Sequence, residues 1–169
     1  MFRNTDYIAH RREKDGEIQS LVDHLEEVSK KTGEFASKIG LKEQGELLGL
    51  LHDIGKASRE FEQYIKSSVG LINPDEDDYV DAAGLKGKVD HSTAGSQLVY
   101  RKLAHNGNDA IFVAQVLSLC IASHHSGLID CISPEGINTY LKRMGKGEEK
   151  AHLDEVLGKL SDRVKELII

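Results

Sequence analysis

The sequence predicts an all-α helical bundle, and three observations carry that prediction. Apolar residues recur at helical spacing in several long windows, only two prolines interrupt the chain, and aromatic residues make up 5% with no tryptophan, a poor supply for a β-sandwich. At 169 residues the chain has the length of a single domain, 1–169, and enough of it to bury a core without disulfide or metal staples.

The elements follow in order. Glu17–Ile39 reads as an amphipathic helix whose stripe is Ile18, Leu21, Val22, Leu25, Val28, Phe35, Ala36 and Ile39, with Gly40 suited to the position just past its end. A second helix covers Lys42–Lys56, with Leu47, Leu48, Leu50, Leu51 and Ile54 facing inward, and a short one runs through Phe61, Tyr64 and Ile65. Ser67–Lys88 has no sustained period and holds Asn73-Pro74, three glycines and the run Asp75-Glu76-Asp77-Asp78, so a long mobile loop is expected. Helix resumes after Asp90-His91 through Ala94, Leu98 and Leu103, with Asp90 a candidate N-cap. Asn106-Gly107-Asn108-Asp109 is a turn, and Asp109 is a candidate cap for Ala110–Ser123, which is apolar nearly all round and therefore expected at the buried centre of the bundle. A polar stretch with Pro134, Gly136, Gly145 and Gly147 leads to a closing helix, Lys150–Leu167, striped by Leu153, Val156, Leu157, Leu160, Val164, Leu167 and Ile168. No strand is expected.

Composition narrows the function classes. Apolar residues at 39% and charged residues at 30% describe an ordinary globular chain rather than a disordered one. The net charge of −6 offers no broad basic field for nucleic acid, although bound cations would change the charge at a local site. Cys120 and Cys131 are too few for a disulfide framework, the N-terminus lacks the apolar core of a signal peptide, and the most apolar run is too short to span a bilayer. These features predict a cytoplasmic protein with no membrane partner. Cys120 is expected in the core and Cys131 in a loop.

The chain has eight histidines, and their placement says more than their number. His52-Asp53, Asp90-His91 and His124-His125 all fall at element ends, and His24 flanks the first apolar stripe. His10, His105 and His152 have polar or terminal surroundings and read as surface residues. Taken singly, each clustered histidine has an ordinary explanation as a packed residue or a helix-terminal charge. Five of them with Asp53, all beside buried helices, suit a first-row transition metal, and a carboxylate has two oxygens with which to bridge two ions. Gaps of 28, 38 and 33 residues (His24 to His52, Asp53 to His91, His91 to His124) fit separate helices converging at one end of a bundle.

The order of His24, then His52-Asp53-Ile54-Gly55-Lys56, then later histidines resembles the HD metal-dependent phosphohydrolase superfamily. Asp90-His91-Ser92-Thr93-Ala94-Gly95, Ser123-His124-His125-Ser126-Gly127-Leu128 and Asp23-His24 are similar to the HD nuclease domain of the CRISPR type I helicase-nuclease. The resemblance implies an HD-domain bundle with one or two metal ions at one end of its central helices. His24, His52 and Asp53 would hold one ion, and Asp53, His91, His124 and His125 the other. Imidazole-rich ligation favours Mn²⁺, Fe²⁺, Co²⁺ or Ni²⁺, with Mg²⁺ also admitted. The family pattern has a further Asp on a later helix. The string that would carry it is absent here, which leaves Asp130, Asp154 and Asp162 as candidates.

Asp53 and Lys56 are the catalytic candidates, Lys56 as an ammonium for the charge developing on a phosphodiester. Ser92 and Ser126 are candidates either to donate to a phosphate or to cap helices. The implied substrate is single-stranded DNA. The implied partners are a CRISPR helicase domain or subunit and an RNA-guided surveillance complex. No phosphate-binding Gly-x-x-x-x-Gly-Lys-Ser/Thr string occurs in the chain, so a separate subunit or an excised N-terminal domain is expected. Lys142-Arg143, Lys146 and Lys150 either track a phosphate backbone or form a solvated face, and no base-stacking aromatic stands out. Two alternatives stay open: an HD-type nucleotide phosphohydrolase, and a degenerate HD regulatory module.

Overall fold

The computed structural model describes residues 7–12, 14–125 and 127–168. The chain is a helical bundle of the all-α class, with one small antiparallel sheet at its N-terminal end. That hairpin, β1 (Ile8–Arg11) paired with β2 (Ile18–Ser20), corrects the expectation of no strand. Strands of four and three residues are too short to show alternation. The legible signal was Asp15-Gly16 in the turn, where Gly16 takes φ +74°.

Helix α1 therefore begins at Leu21 rather than Glu17, and runs to Ser37. Ile18 shares the helical period but pairs with Arg11 in the sheet. Ser20 starts the helix, its Oγ accepting from the Asp23 N–H at 3.1 Å. Leu21 and Leu25 are buried, whereas Phe35 and Ile39 of the same stripe are 68% and 73% exposed, because the end of α1 overhangs the core. Helix α2 (Lys42–Leu51) packs along α1 and stops short of Lys56. The chain leaves helical geometry at Asp53 (φ −119°, ψ 12°) and makes a 3-10 turn over Ile54–Ala57. Helix α3 (Arg59–Ser68) follows, capped by Ser58. A short helix, α4 (Ala82–Leu85), interrupts the segment expected to be an unbroken loop. Part of its acidic run is tied to α3, since Asp78 accepts from Arg59 at 3.0 Å and from Gln63 at 2.7 Å.

Helices α5 (Thr93–Leu103) and α6 (Asn108–Ser123) pack side by side. Asp109 lies in the first turn of α6 and Gly107 occupies the cap position, which corrects the expected cap. The expected central position of α6 is also corrected. Ala114, Leu117 and Ile121 are buried, but Phe112 is 68% and Val116 42% exposed, and Cys120 is exposed rather than core. An all-round apolar helix shows no preferred face, so its sequence does not show which side goes uncovered.

The closing region divides into α7 (Thr139–Met144), α8 (Glu148–Ala151), α9 (Leu153–Lys159) and α10 (Asp162–Ile168). Its apolar stripe is buried as expected at Leu153, Val156, Leu160 and Val164, but the backbone breaks at His152 (φ 53°, left-handed) and at Leu160 (ψ 139°). The break lets Glu148 accept from the Asp154 and Glu155 N–H groups, both at 3.0 Å. The stripe joins Leu25, Leu51, Ile54, Val99 and Ile121 in one core. Among the described residues no helix is long and apolar enough to cross a membrane.

Candidate metal centre

Four backbone features bring the clustered residues together. His24 projects from α1, His52 and Asp53 from the end of α2, His91 from the segment just before α5, and His124 and His125 from the end of α6. Glycines allow the approach. A Cβ on Gly55 would lie 2.3 Å from the His91 carbonyl oxygen, and one on Gly95 would lie 1.9 Å from that of Leu51. Only hydrogen at these positions lets the 3-10 turn and α5 close around Asp53.

Asp53 is the centre of the arrangement and is almost fully buried, with 2% exposure. Its two oxygens face different neighbours. Oδ2 lies 3.1 Å from His24 Nε2, 3.2 Å from His52 Nε2 and 2.8 Å from Lys56 Nζ. Oδ1 lies 3.2 Å from His124 Nε2, 3.6 Å from His91 Nε2 and 3.8 Å from His125 Nε2. The structure thus assembles the five histidines and Asp53 that the sequence singled out, in the same two groups.

Hydrogen bonds fix the tautomers. His52 Nδ1 lies 2.7 Å from Gly49 O, His91 Nδ1 3.0 Å from Val89 O, and His124 Nδ1 2.7 Å from Ile121 O. A carbonyl oxygen only accepts, so each Nδ1 carries the proton and Nε2, the nitrogen facing Asp53, is the one left to ligate a metal ion. Burial lowers His91 to about 4 and also lowers His125, which keeps both rings neutral at pH 7. Burial by itself would raise the Asp53 pKa. The imidazoles of His124, His24 and His52 and the Lys56 ammonium outweigh it and hold the group far below the ordinary carboxylate range.

Ring nitrogens meet across short gaps, including His24 Nε2 to His52 Nε2 at 3.2 Å and His91 Nε2 to His125 Nε2 at 2.6 Å. Two such nitrogens are held together by a shared proton or by a metal cation that both ligate. Two atoms bound to one ion at about 2.1 Å are about 3.0–3.4 Å apart, so most of these gaps have the dimensions of a coordination shell. The donor set fits divalent ions on both sides of Asp53. Neither Asp130, Asp154 nor Asp162 is in the converging groups; among the described residues, His10 joins His24 and Asp53 instead, their donor atoms lying within 4.8 Å of one another.

His10 is exposed, as expected of a surface residue, but it belongs to the rim of the centre, which the sequence did not show. On β1 its ring meets His24 edge to face at 4.6 Å, and burial and the neighbouring Lys56 lower it to about 4. Lys56, 3% exposed, also has an occupation that the sequence did not show: its ammonium reaches Asp53 Oδ2 and donates to Ala9 O and His10 Nε2, both at 3.2 Å. All three of its protons are committed, so it anchors Asp53 to β1. The contacts with Ala9 and His10 come from the hairpin, and a hairpin this short left no period to read.

Ser92 is 6% exposed, and its hydroxyl accepts from Arg143 Nη1 at 2.6 Å. Asp90 holds the first turn of α5, accepting from Ser92 N–H at 3.2 Å, Thr93 N–H at 3.1 Å and the Thr93 hydroxyl at 2.6 Å, and it pairs with Lys146. Ser126 lies outside the described residues. His152 lies away from the centre, between Glu60 and Glu155.

A family described as "Cas3, HD domain" matches residues 10–167 of the chain. No curated protein matches it.

Proposed function

The chain belongs to the Cas3 HD-domain family, and on that premise we propose that it is a metal-dependent nuclease hydrolysing phosphodiesters of single-stranded DNA in CRISPR interference. One observation carries the proposal: the buried Asp53 turns one oxygen to His24 and His52 and the other to His91, His124 and His125. A carboxylate so placed suits a bridge between two divalent ions, of which Mn²⁺, Fe²⁺, Co²⁺ and Ni²⁺ match the imidazole-rich donors better than Mg²⁺.

Bound ions would supply Lewis acidity and a reactive water at neutral pH. The protein's own residues do the rest. The carbonyls of Gly49, Val89 and Ile121 hold the rings of His52, His91 and His124 in the ligating tautomer. Lys56 keeps Asp53 ionised and oriented from within hydrogen-bond distance, and contributes positive charge near the reacting phosphate. Ser92 helps fix that phosphate at the edge of the cleft beside His91. The partners in this reading are a helicase domain or subunit that delivers the strand and an RNA-guided surveillance complex that recruits it, with a cytoplasmic location.

The test is cleavage of circular single-stranded DNA in the presence of Mn²⁺, beside nucleoside triphosphates and cyclic dinucleotides. Cleavage of the circle, lost on chelation and restored by Mn²⁺, is expected. Turnover of small nucleotides with intact circles would replace the reading with a nucleotide phosphohydrolase.

A further inference from the structure

A cleft of about 530 Å³ lies beside the centre, where His10, Lys56, His91 and His125 line it. Farther out its lining changes character. Tyr64 of α3 stands on it, half-buried, at the end of an aromatic chain. Tyr64 meets Phe61 edge to face at 5.6 Å, and Phe61 meets His91 at 4.9 Å. From α7 and the turn after it come Arg143 and Lys146, both half-buried and turned inward. Of the basic cluster noted in the sequence, Lys142 and Lys150 are exposed and do not line the cleft. Among the described residues Arg143 and Lys146 meet one acid there, Asp90, which leaves an excess of positive charge beside His91 in a chain of net charge −6.

We propose that this cleft is the strand-binding groove, in which Tyr64 stacks a base while Arg143 and Lys146 take the phosphate next to the one held at Asp53. The inference rests on the nuclease reading and adds to it the residues that seat the strand. Asp90 holds the two cations in place without the strand. An incoming phosphate competes with it for Lys146 and Arg143, an exchange of one anion for another at the same donors. Stacking on Tyr64 needs only a ring face, so the groove accepts any base and reads no sequence.

The test is binding of a fluorescein-labelled oligothymidylate by the full chain in chelator, where no cleavage occurs, measured by anisotropy over a salt series. Arg143→Ala with Lys146→Ala should weaken binding at least tenfold at low salt. It should also flatten the slope of log K against log salt by about 0.7, the share of the one single-strand phosphate that the pair no longer neutralises. The charge-keeping pair Arg143→Lys with Lys146→Arg should restore most of that slope. Tyr64→Ala should weaken binding about fivefold or more with the slope unchanged, and Tyr64→Phe should bind as the native chain does. Mn²⁺ stoichiometry should be the same in every variant, which separates a lost groove from a collapsed site. Native-like binding and slope in the Ala variants overturns the groove. So does a native chain that binds no strand yet hydrolyses bis(p-nitrophenyl) phosphate with Mn²⁺, and that result leaves a metal phosphodiesterase standing. If the variants behave as expected but the native chain never cuts a strand, the groove stands and the nuclease reading falls.

Discussion

The two sides of Asp53 are built from similar ligands and differ in what else each contains. The Oδ1 side faces His91, His124 and His125, three imidazoles with no cationic side chain within salt-bridge distance among the described residues. The Oδ2 side faces His24 and His52, with the Lys56 ammonium already 2.8 Å from the oxygen. One side is an open donor set that lacks a cation, while the other is partly neutralised before any metal arrives. Two ligand groups of similar count can therefore differ in affinity because a buried lysine has taken a share of the bridging carboxylate.

Removing the bridge has the largest expected effect. Asp53→Ala should abolish metal uptake on both sides and all cleavage, because no other carboxylate joins the converging groups among the described residues. It also strands Lys56 in the core, at a cost of about 3–5 kcal/mol for breaking a buried pair. Asp53→Asn, which keeps the shape, separates the two losses: elemental analysis reads the metal and thermal unfolding reads the fold. Tight binding of two ions by the Ala variant would remove Asp53 from the centre.

Lys56→Met probes the asymmetry from the other direction. In chelator it leaves a buried carboxylate without its cation, so a destabilisation of similar size, about 3–5 kcal/mol, is expected. Saturating Mn²⁺ should recover most of it, because an ion then supplies the missing charge and binds only the folded state. The comparison would break if thermal unfolding of this variant were insensitive to Mn²⁺.

The sequence showed the parts of this centre that lie in strongly patterned elements. Leu21 and Leu25 declare α1 by period, and the buried stripe Leu153, Val156, Leu160 and Val164 declares the closing region, so His24 could be placed on a helix flank. His52-Asp53 and His124-His125 were legible because each doublet ends an apolar helix. His10 was not, since β1 spans four residues and its value lies in a tertiary contact with Lys56. Lys56 was visible as a charge but not as a buried one, because burial at that position depends on the same hairpin. The outward face of α6 and the break at His152 depend on which neighbours cover them, and local sequence carries little of that information.

Filling order sharpens the comparison further. The Oδ1 side should take the first Mn²⁺ and the Oδ2 side the second, resolved by anomalous scattering from crystals at limiting metal. His124→Ala should then remove the tight class of sites and His52→Ala the weak one, each lowering affinity by at least the 10–100-fold that loss of a mere outer partner costs. First density beside His24 and His52 would reverse the assignment. Gly55→Ala should act on one side only. Its new methyl would lie 2.3 Å from the His91 carbonyl oxygen, so His91 must move while His24 and His52 keep their places. A stability loss of about 1–3 kcal/mol with selective weakening of the tight site is expected. Equal weakening of both sites would mean that the turn moves as a whole.

The smallest effect tests what holds His91 on the tight side. Asp90 bonds the first turn of α5 and pairs with Lys146. Burial alone would raise its pKa, but Lys146 and Thr93 lower it to about 2. The folded value lies below the ordinary 3.8, so the unfolded chain binds the proton more readily. Asp90 then contributes stability that is complete above about pH 4 and is lost as pH falls toward 2, on the order of 1–2 kcal/mol. His91 and His10, whose folded values are lowered to about 4, change stability in a separate window: the unfolded chain takes up their protons first as pH falls from 6.5 to 4, so stability drops there as well. Asp90→Asn keeps an acceptor for the α5 turn and removes the titration together with the charge pairing to Lys146. The difference in unfolding free energy between the native chain and this variant should therefore be flat from pH 7 to 5 and shrink between pH 4 and 2. A difference that instead shrinks between pH 6.5 and 5 would show that Asp90 acts through the protonation of His91 and not through its own carboxylate.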